Sequence, residues 1–120
     1  MRMTSQRKKI LEVLHQHDLP MTCDDIHIMI QDDKLNLSTV YRSLEKFYED
    51  HQVFKTIINQ KQYYYTGHHH HFLVCNGCEK MIPVGCHIEG KEKAIGKPYG
   101  FQVTHHDMTL YGYCEHCQTY

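Results

Sequence analysis

The chain has 120 residues, a formal net charge of -1 and 41% hydrophobic residues. That suits one small domain or two subdomains, each small enough to need help from a structural metal or a partner copy. No stretch approaches the ~20 apolar residues of a membrane span, and the N-terminus leads into an amphipathic segment rather than an apolar signal core, so a cytoplasmic protein is expected.

Residues 1–50 read as helices. Thr4 can cap a first segment carrying Ile10, Leu11 and Leu14, which His17-Asp18-Leu19-Pro20 breaks. Thr22, with Asp25 three residues on, fits the start of a second, where Ile26, Met29 and Ile30 share a face. Asp32-Asp33-Lys34 makes a turn. Ser38 is the expected cap of the third segment. There Val40, Leu44, Phe47 and Tyr48 form a core stripe, and Thr39, Arg42, Ser43 and Lys46 form the opposite, polar face. Residues 53–58 and 62–65, joined by Asn59-Gln60-Lys61, read as a β-hairpin. Three helices and a hairpin make a winged helix-turn-helix, whose third helix reads DNA in the major groove. Near-neutral overall charge means that any such contact needs a local basic face, for which Arg2, Arg7, Lys8, Lys9, Lys55 and Lys61 are phosphate-contact candidates. A merely solvated helix would show the same amphipathy; its place before a hairpin favours DNA.

Gly67 marks a boundary, beyond which the pattern changes. Short strands are expected at 72–74, 81–84, 101–103 and 108–111, and a helix at 88–97 weakened by Gly90 and Gly96. Six cysteines in a chain with no visible leader point to metal rather than disulfides. Cys75-x-x-Cys78 and Cys114-x-x-Cys117 have the spacing of two zinc knuckles, one Zn2+ per chain. Four thiolates leave no open position, so this site staples rather than catalyses. The run His68, His69, His70, His71 alternates faces if extended, so His68 and His70 can serve one metal site and His69 and His71 another. Glu89, Cys86, His105, His106 and Asp107 from the same half, and Asp50, His51, His17 and Cys23 from the helical half, are the further candidate ligands.

Four segments carry a resemblance: Thr4-x-x-Arg7-x-x-Ile10-Leu11; Ser38-Thr39-Val40-Tyr41-Arg42-x-Leu44; the histidine run before Cys75-x-x-Cys78; and His106-x-x-x-Leu110-Tyr111-Gly112-x-Cys114-x-x-Cys117. Together they resemble the ferric uptake regulator family of bacterial metal-responsive repressors. The resemblance implies an α+β fold. A winged-helix DNA-binding domain (1–66) precedes a small α/β, zinc-stapled, metal-binding dimerisation domain (67–120). It implies a homodimer that binds double-stranded operator DNA when metal-loaded, with no membrane, no small-molecule substrate and no enzymatic activity. Residue by residue, Cys75, Cys78, Cys114 and Cys117 match the structural zinc site. His68, His70, Glu89 and His106 match the second-domain metal site, and His69 and His71 the inter-domain sensing site. Asp50, His17 and Cys86 are further candidates for the latter. Tyr41 and Arg42 match the DNA-reading positions, giving a candidate contact set of Arg7, Ser38, Thr39, Tyr41, Arg42 and Lys46.

Three departures stand out. The motifs align the chain from the family's second helix onward. Pro20 stands near where several members place a sensing histidine. His71 lies four positions before Cys75, one more than in the family, which leaves open an exchange of sites between the two histidine pairs. Cys86 favours Zn2+ over Fe2+ or Mn2+ as the regulatory metal, because thiolate is a soft ligand. A zinc uptake regulator controlling metal uptake genes is therefore expected, with an iron- or peroxide-sensing member as the alternative within the family. A zinc hydrolase and a zinc-ribbon adaptor are the alternatives outside it.

Overall fold

Short polar side chains start each of the first three helices. In the computed structural model, which describes residues 3–68, 70–88 and 90–118, Thr4 caps helix α1 (Ser5–His15) by accepting the Arg7 amide at 3.2 Å. Thr22 and Asp25 form a reciprocal capping box at α2 (Cys23–Ile30), each bond 3.1 Å, which satisfies amides that have no partner inside the helix. The third helix, α3 (Leu37–Glu49), is capped by Asn36 rather than by Ser38. Asn36 Oδ1 accepts the Thr39 amide at 2.8 Å and the Ser38 and Thr39 hydroxyls at 2.9 and 2.8 Å. Asn caps as well as Ser, and three donors converging on one oxygen decide between them.

Val40, Leu44 and Phe47 of α3 are fully buried against Ile10, Leu14 and Ile26; each such side chain removed from water stabilises the unit by about 1.5–3 kcal/mol. Ser43, expected on the polar face, is buried too. It lies three residues after Val40 and four before Phe47, at the edge of their stripe. Met29, expected on the same face as Ile26, is 50% exposed, because the short α2 turns only Ile26 fully inward.

The hairpin is β2 (Phe54–Ile58) against β3 (Lys61–Tyr65), antiparallel, with β1 (Met21–Thr22) added on the far edge of β3. Its turn is Asn59-Gln60, with φ 51° and 68°, the two-residue geometry that matches strand twist. Lys61 thereby belongs to β3 rather than to the turn.

Two compact units divide the chain, Met1–His68 and His69–Tyr120. In the second, β4 (His71–Cys75) lies between β5 (Met81–Val84), antiparallel to it, and β6 (Thr109–Gly112), parallel to it. The expected helix at 88–97 is shorter: α4 (Glu92–Gly96), then a 3-10 turn at Lys97–Tyr99. Residues 101–103 form no strand. Gly100, at φ 69°, turns the chain back, and the Phe101 amide bonds the Gly96 carbonyl at 3.1 Å. A Cβ on Gly96 would stand 2.8 Å from Val103, so this segment packs on the end of α4 and is spent on terminating it. No helix among the described residues is long and apolar enough to cross a membrane.

Candidate metal centres

The parallel pairing of β4 and β6 decides where ligands gather. Phe72 pairs with Thr109 and Cys75 with Gly112, so both strands start at one end of the sheet and finish at the other. His71 opens β4, and His106 lies three residues ahead of β6. Cys75 closes β4, and Cys114 lies just beyond β6. About 13 Å of strand separates the two ends.

At the far end, the ligand atoms of Cys75, Cys78, Cys114 and Cys117 all lie within 4.8 Å of one another. Cys78 Sγ and Cys114 Sγ are 3.8 Å apart. A zinc tetrahedron with bonds of about 2.3 Å has edges of about 3.8 Å. The first knuckle needs its glycine, because a Cβ on Gly77 would stand 2.8 Å from Cys117 Cβ and 2.9 Å from its sulfur. Cys75 Sγ accepts the amides of Cys114 and Gly77 at 3.3 Å and of Cys78 at 3.5 Å. Those amides, the Cys114 one foremost, pull the Cys75 thiol down to about 6, whereas hydrogen bonding to Cys114 and then Cys75 pushes Cys117 up to about 12. Four adjacent thiols cannot all ionise unaided; a dication lets them. The donor set and its dimensions fit zinc.

At the near end, His71, Cys86 and His106 offer ligand atoms within 4.8 Å of one another. His106 Nε2 is 3.0 Å from His71 Nε2 and 3.2 Å from Cys86 Sγ, a few tenths of an ångström inside the edges of about 3.3 and 3.6 Å of a tetrahedral N/S zinc site. Both rings are held from behind. His71 Nδ1 donates to the Met108 carbonyl at 3.0 Å, and His106 Nδ1 to Glu92 Oε1 at 2.7 Å. Each Nδ1 therefore carries the proton, and the two Nε2 lone pairs face one another beside a thiol, an arrangement that a cation relieves. His71 is 2% exposed. Burial, and then His106 beside it, hold its pKa below the ordinary histidine value, which keeps it in the neutral, ligating form. The Glu92 carboxyl is held below its usual range by a bond from its own amide and by His106.

Glu92 is a candidate that sequence reasoning missed. It touches a histidine of the cluster rather than offering a ligand atom to it, so no ligand spacing marks it. Among the described residues it is His71 that meets His106, where the resemblance implied His68 and His70. The even interval from Cys75 places His71 on the same side of β4 as that cysteine. His70 is half-buried with its ring centroid 4.8 Å from that of Phe72, and His68 is exposed at the end of the first unit. His69 and Glu89 lie outside the described residues. Asp50 caps the end of α3 in the first unit, 3.9 Å from Lys46. His17 donates to the Val13 carbonyl at 2.7 Å and Cys23 to that of Leu37 at 3.6 Å, both within the first unit.

On α3, Tyr41 is 45% exposed and Arg42 is exposed, its Nε donating to the Ser38 carbonyl at 3.3 Å. The Ser38 and Thr39 hydroxyls serve the Asn36 cap. Lys46 pairs with Glu49 at 3.6 Å as well as with Asp50, and Arg7 is half-buried on α1. Tyr41 and Arg42 are thus the most available of the candidate DNA contacts. On the wing Lys61 is exposed, but Lys55 is engaged by Glu45 at 3.2 Å.

Comparison with known proteins bears on the family and the fold. The model of the ferric uptake regulator family matches residues 1–111. The chain is 30% identical over 125 residues to the ferric uptake regulation protein of Campylobacter jejuni, covering 95% of this chain and 78% of that protein. It is 30% identical over 123 residues to the peroxide operon regulator of Bacillus subtilis, covering 97% and 83%. Its fold is similar to that of the Helicobacter pylori ferric uptake regulator, a protein with three functional metal binding sites, at a TM-score of 0.77 and 25% identity over 100% of this chain and 84% of that one. The members of this family are regulators of transcription, not enzymes. With nearly its whole length matched, the chain belongs to the ferric uptake regulator family of metal-responsive transcriptional regulators.

Proposed function

We propose that this chain is a repressor that binds operator DNA as a homodimer when His71, Cys86 and His106 hold a regulatory divalent ion, zinc in first place, and that it thereby controls metal uptake genes. One observation carries the reading: two imidazole nitrogens with their protons committed elsewhere converge on one thiol. Clustered histidines suit zinc and also iron(II), but the soft thiolate favours zinc over iron(II) and manganese(II). Glu89 and the other histidines of the run are the candidates for the remaining ligands. Zinc at the four cysteines is the permanent staple, in a cytoplasm that keeps thiols reduced.

Dimerisation is supported by an aliphatic row across the second sheet. Leu73 is paired with both Ile82 and Leu110, and the three are 38%, 39% and 53% exposed. Tyr41 and Arg42 read the operator from α3. The regulatory ion acts only through its higher affinity for the DNA-competent state.

The test is fluorescence anisotropy on a duplex from the chain's own upstream promoter, with zinc added or withheld. Zinc-dependent binding that disappears in His71→Ala/His106→Ala supports the reading. Binding that ignores both the metal and the substitutions overturns it. Anaerobic titration with iron(II) in place of zinc decides the metal.

A further inference from the structure

A single carboxylate fastens the wing to the DNA-reading helix. Glu45 Oε2 on α3 accepts the Tyr64 hydroxyl at 2.6 Å, and Lys55 Nζ donates to both Glu45 oxygens at 3.2 Å. Lys55 and Tyr64 stand directly opposite each other on β2 and β3, so one side chain grips both strands of the hairpin. The contact is sheltered: Tyr64 is 0% exposed, and the Lys55 and Glu45 side chains are 20% and 29% exposed. The Lys55 ammonium also rests 4.4 Å above the Tyr48 ring, three residues further along α3. Solvated ion pairs hold little, but this carboxylate has two charge-assisted partners from one direction and partial cover, which makes a geometric constraint. Glu45 follows Tyr41 by four residues and Arg42 by three, so it is their neighbour on the helix surface. It also occupies a wing lysine that would otherwise offer its charge to any phosphate.

We propose that Glu45 is a positioning residue for operator reading, holding the wing at a set angle to α3 and withholding the Lys55 charge from the DNA backbone. The proposal rests on the operator-binding reading above.

The test uses the full metal-loaded protein as wild type, Glu45→Gln, Lys55→Met and the double variant. Each is titrated onto the promoter duplex and a scrambled duplex between about 50 and 200 mM salt. In Glu45→Gln the preference for promoter over scrambled DNA falls about tenfold, the worth of one charged hydrogen bond. Scrambled-duplex binding strengthens, and its log–log salt slope steepens by about 0.9 as the released Lys55 meets a phosphate. Lys55→Met loses the same preference without the steeper slope, and the double variant is no worse than Lys55→Met. A purely structural role would not move the slope. Glu45→Gln with wild-type preference and slope overturns the proposal, as do single effects that add in full. If wild type shows no metal-dependent promoter preference, the operator reading fails instead. Hydrogen exchange then judges the fastening: amides of β2 and β3 that exchange no faster in Glu45→Gln overturn it, and faster exchange there with α1 unchanged upholds it.

Discussion

Glu92→Gln tests the proposed regulatory site through the one group that no ligand pattern announced. Glu92 Oε1 lies 2.7 Å from His106 Nδ1, shorter than the ~2.9 Å of a neutral N–H···O bond and typical of a charge-assisted one. That carboxylate keeps the proton on Nδ1 and leaves the Nε2 lone pair pointing at His71 and Cys86, 3.0 and 3.2 Å away. A carboxamide keeps the size and loses the charge. Turned about, its NH2 donates to Nδ1 and drives the proton onto Nε2, where the metal should sit. Losing such a partner behind a metal-binding histidine weakens the metal about 10- to 100-fold, or about 1.4–2.8 kcal/mol. The assay is competition with a chromophoric chelator for zinc, on protein whose four-cysteine site is already filled. Glu92→Gln should lose affinity within that range, His106→Ala should lose more, and both should keep one tightly held zinc. If Glu92→Gln binds within twofold of wild type while His106→Ala fails, Glu92 takes no part. If neither differs from wild type, the cluster is not where the regulatory ion binds.

Other outcomes follow from the same geometry. Gly77→Ala should lower zinc retention at the four cysteines, since its Cβ would meet the Cys117 side chain at 2.8 Å; equal zinc after dialysis against a chelator would count against the knuckle packing described here. Burial, and then Asp24, push the Cys23 thiol up to about 11, so its alkylation rate should climb about tenfold per pH unit past pH 8.5, where a free thiol levels off. A thiol raised in the folded state holds its proton there, so its contribution to stability is intact below about pH 8.5 and is lost as pH rises toward 11. A rate that flattens near 8.5 would show Cys23 to be solvated. Phe47→Ala removes a fully buried ring from the first unit and should cost about 3–5 kcal/mol in denaturant unfolding. A loss below about 1 kcal/mol would mean the site had collapsed or the ring was never packed.

What could be read from the residues was mostly local. Thr4 and the Thr22–Asp25 box are short-range signals, and they start α1 and α2 as expected. The cysteine pairs are local as well, each knuckle bringing two thiols to one point within four residues. Decisions between competing local options were harder: Asn36 and Ser38 are both good caps, and only the converging hydroxyls favour Asn36. β1 is two residues long, too short for any period to show. Residues 101–103 have strand-forming types, but the turn at Gly100 and contact with Gly96 hold them elsewhere. The near metal site was the least legible. His71, Cys86 and His106 each stood among the candidates, but which of them meet depends on the β4–β6 register, a pairing across more than thirty residues.

That register makes the two candidate metal sites unequal. Among the described residues β6 pairs with β4 alone, and His106 reaches His71 from the irregular segment ahead of it. What holds β6 alongside β4 at its far end is the knuckle, through the Cys114 amide on Cys75 Sγ at 3.3 Å and the Asn76 amide on the Gly112 carbonyl at 2.8 Å. With zinc there, the strand pair is closed like a zip from its bottom end, and His106 is presented to His71 at little further entropic cost. Without it, the competent arrangement is populated for only a fraction of the time, and apparent affinity at the near site falls by that fraction. Cys114→Ser/Cys117→Ser should therefore weaken regulatory zinc binding although neither residue touches that ion. His71→Ala/His106→Ala should leave the four-cysteine zinc in place, because nothing in the knuckles depends on the near end. Equal regulatory affinity with and without the knuckle cysteines would refute the argument. It would mean that the five residues of β4 and four of β6 hold their register unaided, and that the staple serves some other end of the molecule.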